Sequence, residues 1–363
     1  MERSVVSDVR LPTPSYSYAY AKLDMVALPE MFITGYNTQD LVLKPIFYQT
    51  AVAAIEALAV ECADGPTLAI GGPAKDESGF YNAYYILRGG KVMSRVLKHF
   101  LPNETVFDEV RIFDSGDIAG PYAVGDMRIG TPICEDAWHV DVVETLDESG
   151  AEFLLVPNGS PYYRNKFDVR MNEMVSRVVE SGLPLIYFNM VGGQDDQVFD
   201  GGSFGLNPGG ELAFKMPAFD AVNQVVELEN TGQGWRIVKG EISLHPDEWE
   251  QDYHCMVESL RDYMGKTGFK KVLLGLSGGI DSAIVATIAA DALGPENVRC
   301  VMLPSEYTSQ SSLDDAKDIA NRLGCTYDFV PIKEGRDAIT NTLAPLFEGT
   351  KPDGSPFKSI PVR

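Results

Sequence analysis

From residue 270 onward the chain alternates strand-like and helix-like segments, and this alternation limits the fold more than any other feature. KKVLLGLS (270–277) precedes DSAIVATIAADAL (281–293), and VRCVMLP (298–304) precedes SSLDDAKDIANRLG (311–324). TYDFVPI (326–332) then precedes EGRDAITNTLAPLF (334–347). Short apolar runs separated by helices predict parallel strands joined by crossovers, here a partial Rossmann-like, doubly wound parallel sheet. The stretch 245–268 reads as a helix leading into it, with Pro246 in the first turn and Gly268 at the end. A boundary is therefore placed near 244, giving domains 1–244 and 245–363. The last residues, EGTKPDGSPFKSIPVR (348–363), read as a loose tail.

The first domain is rich in strands. Strand-like segments fall at 22–30, 67–74, 81–98, 127–135, 151–160 and 183–193, with helical patterns near 47–62 and at 169–182. A hairpin-like SFGLNPGGELAFKM (203–216) follows, then two strand-like pieces (222–229 and 235–243) separated by a loop at 230–234. Several of these strands are nearly continuous apolar runs, which implies cover on both faces by helices or by a second sheet.

Composition narrows the function classes. With 30 Lys and Arg against 52 Asp and Glu, the formal net charge of -22 argues against a nucleic-acid or anionic-membrane surface. A phosphate can still be held locally by backbone N–H groups. No apolar run approaches the roughly 18–20 residues of a spanning helix, and the start MERSVVSDVRLPTPSYSYAY has no apolar secretory core. The five cysteines are widely spaced, without C-x-x-C or histidine partners. That excludes a disulfide framework and a clustered zinc site, and a reducing, cytoplasmic setting is expected.

The sharpest local signal is Gly275-Leu276-Ser277-Gly278-Gly279-Ile280-Asp281-Ser282, between an apolar strand and an Ala-rich helix. Such a turn aims backbone N–H groups and the helix dipole at an anion, and the glycines permit close approach. The lysine and spacing of a Walker A loop are missing. An ordinary capped strand-to-helix turn is the bland alternative. The loop resembles the pyrophosphate loop of the N-type ATP pyrophosphatases, which implies ATP as a substrate. Asp281 then either holds Mg²⁺ against the phosphates or simply caps the helix.

Cys134, in Ile133-Cys134-Glu135-Asp136-Ala137-Trp138, follows a strand and is well placed for nucleophilic attack if a base and an anion stabiliser converge on it. No His–Asp pairing is apparent. Glu30, in LPEMFITGY, and Lys98, in VLKHFLPN, end two other strands. Singly, each is more simply a core thiol or a solvated charge. Together they resemble the Glu–Lys–Cys triad of the nitrilase superfamily. The resemblance implies that Glu30 takes the thiol proton, that Lys98 lowers the thiol pKa and steadies the oxyanion, and that Cys134 forms a thioester and releases ammonia.

From about residue 22 to about 353 the chain resembles the glutamine-dependent NAD⁺ synthetase family, through LPEMFITGY, KHFLPN, VFDE, PICEDAW, NGSPYY, NMVGGQDDQVFDGGSF, GLSGGIDSA and LPSEYTSQSS. The resemblance implies an α-β-β-α nitrilase-like sandwich that hydrolyses glutamine and feeds ammonia to an ATP-dependent synthetase acting on deamido-NAD⁺. It also implies that Ser160 and Lys166 help to bind glutamine. Glu104 stands where the family has a tyrosine of the glutamine pocket. The family's segments before LPE are shortened here, and its chains continue well beyond the GTKPD word. This chain is therefore expected to be truncated at its C-terminus, to lack later strands of the synthetase sheet, and not to make NAD⁺ alone. A homo-oligomer without nucleic-acid or membrane partners is expected. A stand-alone nitrilase-type amidase and a non-catalytic binding subunit are the competing readings.

Overall fold

The computed structural model describes residues 23–343 and divides into two compact units, residues 1–255 and 256–363. The expected loose tail (348–363), the end of the last helix (344–347) and the Pro/Ser/Tyr-rich start lie outside the described residues. Among the described residues no helix is long and apolar enough to cross a membrane.

The first unit is built on two sheets. Strands β1 (Met25–Ala27), β2 (Thr67–Lys75), β3 (Phe80–Arg88) and β4 (Lys91–Leu97) form one in that order, β1 parallel to β2 and the rest antiparallel. The second contains β5 (Tyr122–Val124), β6 (Met127–Gly130), β7 (Phe153–Asn158) and β8 (Leu185–Asn189). After a separate hairpin of β9 (Val191–Gln194) and β10 (Gln197–Asp200), it is completed by β11 (Phe204–Asn207) and β12 (Glu211–Lys215), in the order β12-β11-β8-β7-β6-β5. A short hairpin of β13 (Leu228–Asn230) and β14 (Trp235–Ile237) follows.

The inner faces meet through Tyr84, Ile86 and Val96 on one side and Ile129, Phe153, Leu155 and Phe214 on the other. Helix α1 (Pro45–Glu61) covers the outer face of the first sheet with Ile55 and Ala59. Helices α2 (Val140–Glu148) and α3 (Lys166–Ser181) cover the second with Val142, Leu146, Met174 and Val178. The result is the α-β-β-α sandwich, and it explains why β2, β3 and β7 are apolar on both faces.

The second unit is a parallel α/β layer. Strands β15 (Val272–Gly275), β16 (Val298–Met302) and β17 (Thr326–Phe329) pair in sequence order. Helix α4 (Glu248–Thr267) precedes them, α5 (Ile280–Leu293) and α6 (Gln310–Leu323) connect them, and α7 (Lys333–Leu343) follows. Ala286, Ala289 and Ala290 of α5 and Ala316 and Ala320 of α6 pack on Val298, Cys300 and Met302, small side chains that let helix backbones approach the sheet closely.

Several boundaries differ from the sequence reading. The strand expected to reach residue 135 stops at Gly130, and Cys134 instead opens a 3₁₀ turn (Cys134–Trp138). The segment 183–193 breaks at Met190 into β8 and β9, which belong to different sheets. Helix α4 begins at Glu248 rather than at Pro246, because the Asp247 carboxylate accepts the Glu250 N–H at 2.9 Å and caps it there. Helix α2 is only nine residues long and has no extended helical periodicity in the sequence to mark it.

Candidate active site

The loop after β1 carries Glu30 across β2 at Gly71. A Cβ at Gly71 would lie 2.2 Å from the Met31 nitrogen and 2.6 Å from the Glu30 carbonyl carbon, so only glycine lets the Glu30 backbone sit there. Lys98 follows β4, with its backbone N–H on the Asn82 carbonyl at 2.9 Å. Cys134 begins its turn with φ at +48°, a left-handed conformation that costs a non-glycine residue roughly 1–3 kcal/mol and needs support from its surroundings.

These side chains converge in the interior. Glu30 and Lys98 are fully buried, and the Lys98 ammonium donates to Glu30 Oε1 at 2.7 Å. It also meets Glu109 Oε2 at 2.9 Å, a second fully buried carboxylate. Asn82, from the middle of β3, donates through Nδ2 to Glu30 Oε1 (2.7 Å) and to Glu109 Oε1 (3.0 Å). The Gly159 N–H donates to Glu30 Oε2 at 2.7 Å. Lys98 and Gly159 directly follow strands, Asn82 lies within β3 and Glu109 opens a 3₁₀ turn (Glu109–Arg111), and together they keep the charges in fixed positions.

The electrostatics follow from burial and from these neighbours. Burial pushes the Cys134 thiol well above the usual range, Glu30 adds to the rise, and Lys98 opposes it. Burial pushes the Lys98 ammonium down, but Glu109 and Glu30 outweigh it and hold it well above its ordinary value. Burial raises the Glu109 carboxyl above the usual range, with Lys98 acting against it. Tyr36 lies in the same cluster, its phenol raised well above the usual range by burial and then by Glu109 and Glu30.

The other candidates are distributed as follows. Ser160 is buried beside Gly159; its hydroxyl accepts from Arg170 Nε at 3.1 Å and its carbonyl from Arg170 Nη2 at 2.7 Å. Arg170 is itself buried and doubly bonded to Asp200 at 2.8 and 2.9 Å. Lys166 opens α3 with its ammonium 4.5 Å from the centre of the Trp138 ring and 4.7 Å from that of Tyr163, which brings it to the far end of the Cys134 turn. Glu104 is exposed on the loop before Glu109. Glu109 and Asn82 were missed as site residues, although an asparagine in the middle of an otherwise apolar strand signals a buried polar partner.

In the second unit Gly278 has φ at +82°, and a Cβ there would lie 2.3 Å from the Ser312 carbonyl oxygen. Gly279 precedes α5 without a side-chain cap, so the first N–H groups of that helix have no side-chain acceptor at the cap. Ser277 and Ser282 bring their hydroxyls to 3.1 Å of each other beside this turn. Gly275, Leu276 and Ile280 complete the loop, of which Leu276 is buried in the unit's core and Ile280 is exposed. Asp281 is exposed in the first turn of α5, and among the described residues no group of three His, Cys, Asp or Glu forms a metal cluster.

Residues 15–236 match the carbon-nitrogen hydrolase family profile, which covers well over half the chain and the whole Glu30–Lys98–Cys134 cluster. The chain belongs to the carbon-nitrogen hydrolase family. Residues 253–351 match a second profile, NAD synthase. Similar proteins include the glutamine-dependent NAD(+) synthetase of Rhodobacter capsulatus, 57% identical over 333 residues (92% of this chain, 60% of the relative). That of Aquifex aeolicus is 36% identical, covering 86% of this chain and 60% of the relative. The structure of glutamine-dependent NAD⁺ synthetase from Acinetobacter baumannii in complex with adenosine diphosphate superposes with a TM-score of 0.83 at 34% identity, over 90% of this chain and 62% of that one. This carbon-nitrogen hydrolase chain thus spans about 60% of the length of the curated relatives it matches.

Proposed function

We propose that residues 1–244 hydrolyse the side-chain amide of glutamine through Cys134, and that residues 245–363 form part of an ATP-dependent synthetase that uses the ammonia to convert deamido-NAD⁺ to NAD⁺. The observation that carries the first half is the buried Lys98 held between Glu30 and Glu109 in the cluster that includes the left-handed Cys134. The names of the relatives supply the choice of glutamine among amides.

In this reading Glu30 accepts the Cys134 proton as sulfur attacks the amide carbon. The negative charge moves to the former carbonyl oxygen, where Lys98 stabilises it. Collapse breaks the C–N bond, Glu30 returns its proton to the nitrogen, and ammonia leaves a thioester. Water then attacks the thioester as Glu30 takes its proton, the C–S bond breaks, and Glu30 passes the proton to the departing sulfur, releasing glutamate and the free thiol. Ser160, Lys166 and Glu104 act in binding glutamine.

The loop from Gly275 to Ser282 suits the phosphates of ATP, because a helix start without a side-chain cap and two hydroxyls face one turn. Asp281 is the residue that would hold Mg²⁺, which supplies charge neutralisation of the phosphates when bound. A single carboxylate fits that metal, which keeps most of its ligands from phosphate and water.

The test is Cys134→Ala. Wild type should form glutamate and ammonia in equal amounts from glutamine, and the variant should form neither while unfolding at the wild-type temperature. Hydrolysis that survives in Cys134→Ala removes the thiol from the mechanism. Wild-type turnover of simple aliphatic amides but not of glutamine would favour the stand-alone amidase.

A further inference from the structure

Asp136 is buried two residues after Cys134, and its two oxygens face two different parts of the site. Oδ1 accepts the N–H of His99 at 3.0 Å and of Phe100 at 2.7 Å, the two residues directly after Lys98. Oδ2 accepts the N–H of Ile133, the residue directly before Cys134, at 3.1 Å. The Asp136 N–H in turn donates to the Ile133 carbonyl at 3.0 Å, closing the turn on which Cys134 takes its left-handed conformation.

We propose that Asp136 is a positioning residue that fixes the spacing between Lys98 and Cys134, by tying the backbone after the lysine to the backbone before the thiol. This rests on the thiol-amidase reading above. The chemistry of the bond set favours a carboxylate over any other side chain. Three backbone donors converge on one group, and only a carboxylate offers two oxygens that accept and none that donates. An asparagine of the same shape would keep the His99 and Phe100 bonds with its oxygen, but would set an NH₂ against the Ile133 N–H. Flipped, it would keep the single bond and lose the pair. Either way one of the two segments is released.

The Cys134 thiol reports on that spacing. Burial raises it most, Glu30, Glu135 and Glu109 add to the rise, and Lys98 opposes them. Tyr36, Arg170 and Tyr187 also lie within electrostatic reach of the thiol. Lys98 lies within electrostatic reach of Asp136, and the His99 backbone N–H donates to it. Removing a nearby negative charge can only make a thiol more acidic. Moving Lys98 away makes it less acidic, so the two effects have opposite signs.

The experiment uses the full chain carrying Asp136→Asn, with Asp136→Glu as a second variant that keeps the charge and displaces the oxygens. Two quantities are read: glutamine kinetics, and the pH midpoint of Cys134 alkylation by iodoacetamide, followed by mass on the Cys134 peptide. A positioning role predicts that kcat falls about 100-fold, the size of an ångström-scale misplacement, while KM stays within about twofold. It also predicts that the alkylation midpoint rises by about half a unit or more. At least one variant must fold to within a few degrees of wild type and show both changes. A midpoint that is unchanged or lower in every folded variant overturns the proposal, whether or not stability falls, as does wild-type kcat in either variant. If wild type hydrolyses no glutamine, the thiol-amidase reading fails by itself, and the alkylation midpoint still decides the placement of Lys98.

Discussion

Replacing Lys98 by methionine keeps most of the side-chain volume and removes the cation. What remains is Glu30 and Glu109, both fully buried and bridged by one Asn82 amide. At contacts of 2.7 and 2.9 Å and an effective dielectric near 20, each ion pair carries ~6 kcal/mol of Coulomb attraction. Desolvation of the three charges offsets most of this, so breaking the arrangement should cost about 3–5 kcal/mol. That is a large fraction of the roughly 5–15 kcal/mol that holds a domain folded. The cost must also depend on pH. Burial already raises the Glu109 carboxyl, and Lys98 is what opposes the rise, so the variant raises it further. A folded-state pKa above the unfolded value of about 4.3 means that folding favours the protonated form. Relative to wild type, whose Glu109 is raised less, the deficit is smallest while Glu109 is protonated in both folded states, grows as pH climbs from the wild-type folded value to the variant's, and levels off above it. Urea unfolding followed by tryptophan fluorescence, compared with wild type at about pH 4.5 and about pH 8, should show the larger loss at the higher pH. Glutamine hydrolysis should fall by at least ~10²-fold at either pH, the scale of losing one oxyanion donor. A destabilisation under about 1 kcal/mol at high pH, or one equal at both, would refute the claim that Lys98 is what makes the two buried carboxylates tolerable.

Two further outcomes are expected. Glu104→Tyr should lower KM for glutamine, because it removes a carboxylate that would repel the substrate's own; steady-state kinetics giving an equal or higher KM would remove position 104 from the pocket. Gly278→Ala should abolish ATP binding by the chain in equilibrium dialysis, since its Cβ would lie 2.3 Å from the Ser312 carbonyl oxygen at a φ of +82°, and undiminished binding would show that the loop does not hold the nucleotide.

How much of this could be read from the sequence depended on whether the signal was periodic or spatial. The long strands announced themselves because both faces are covered: TLAIGGPA and FLLVPN are apolar without interruption, and β2 and β7 occupy them. Helix α2 did not, because VDVVETLDE is only nine residues long and carries three valines, which favour strand. The strand expected through residue 135 ended at Gly130 because the chain turns there toward Cys134, and no periodicity marks a turn made by side-chain bonds to Asp136. Glu30, Lys98 and Cys134 each follow an apolar, strand-like run and could be named. Glu109 could not be singled out, since VFDEVRIFD holds several acids and only folding shows which of them is buried against the lysine. Arg170, on a helix of mixed polarity, was hidden for the same reason.

The second buried carboxylate, Glu109, changes how the chemistry of the site is understood. With a neutral thiol, Glu30, Glu109 and Lys98 together carry one net negative charge in a volume that excludes water. Moving the Cys134 proton to Glu30 leaves that total unchanged, because one carboxylate becomes neutral as the thiolate forms. In the proposed reaction, attack would move the charge from sulfur to the substrate oxygen, and collapse with return of the proton to nitrogen would restore the starting distribution. At no stage does the interior gain or lose a unit of charge, so the desolvation penalty that would burden a buried charge separation does not enter the barrier. Without Glu109 the resting site would be a neutral Glu30–Lys98 pair, and Lys98 would have no fixed anion once Glu30 took the proton. A buried ammonium losing its partner in mid-reaction would tend to shed its own proton, and with it the ability to stabilise the oxyanion. In the proposed chemistry Glu109 would hold Lys98 charged through the whole cycle, which makes this second buried carboxylate as necessary as the base itself.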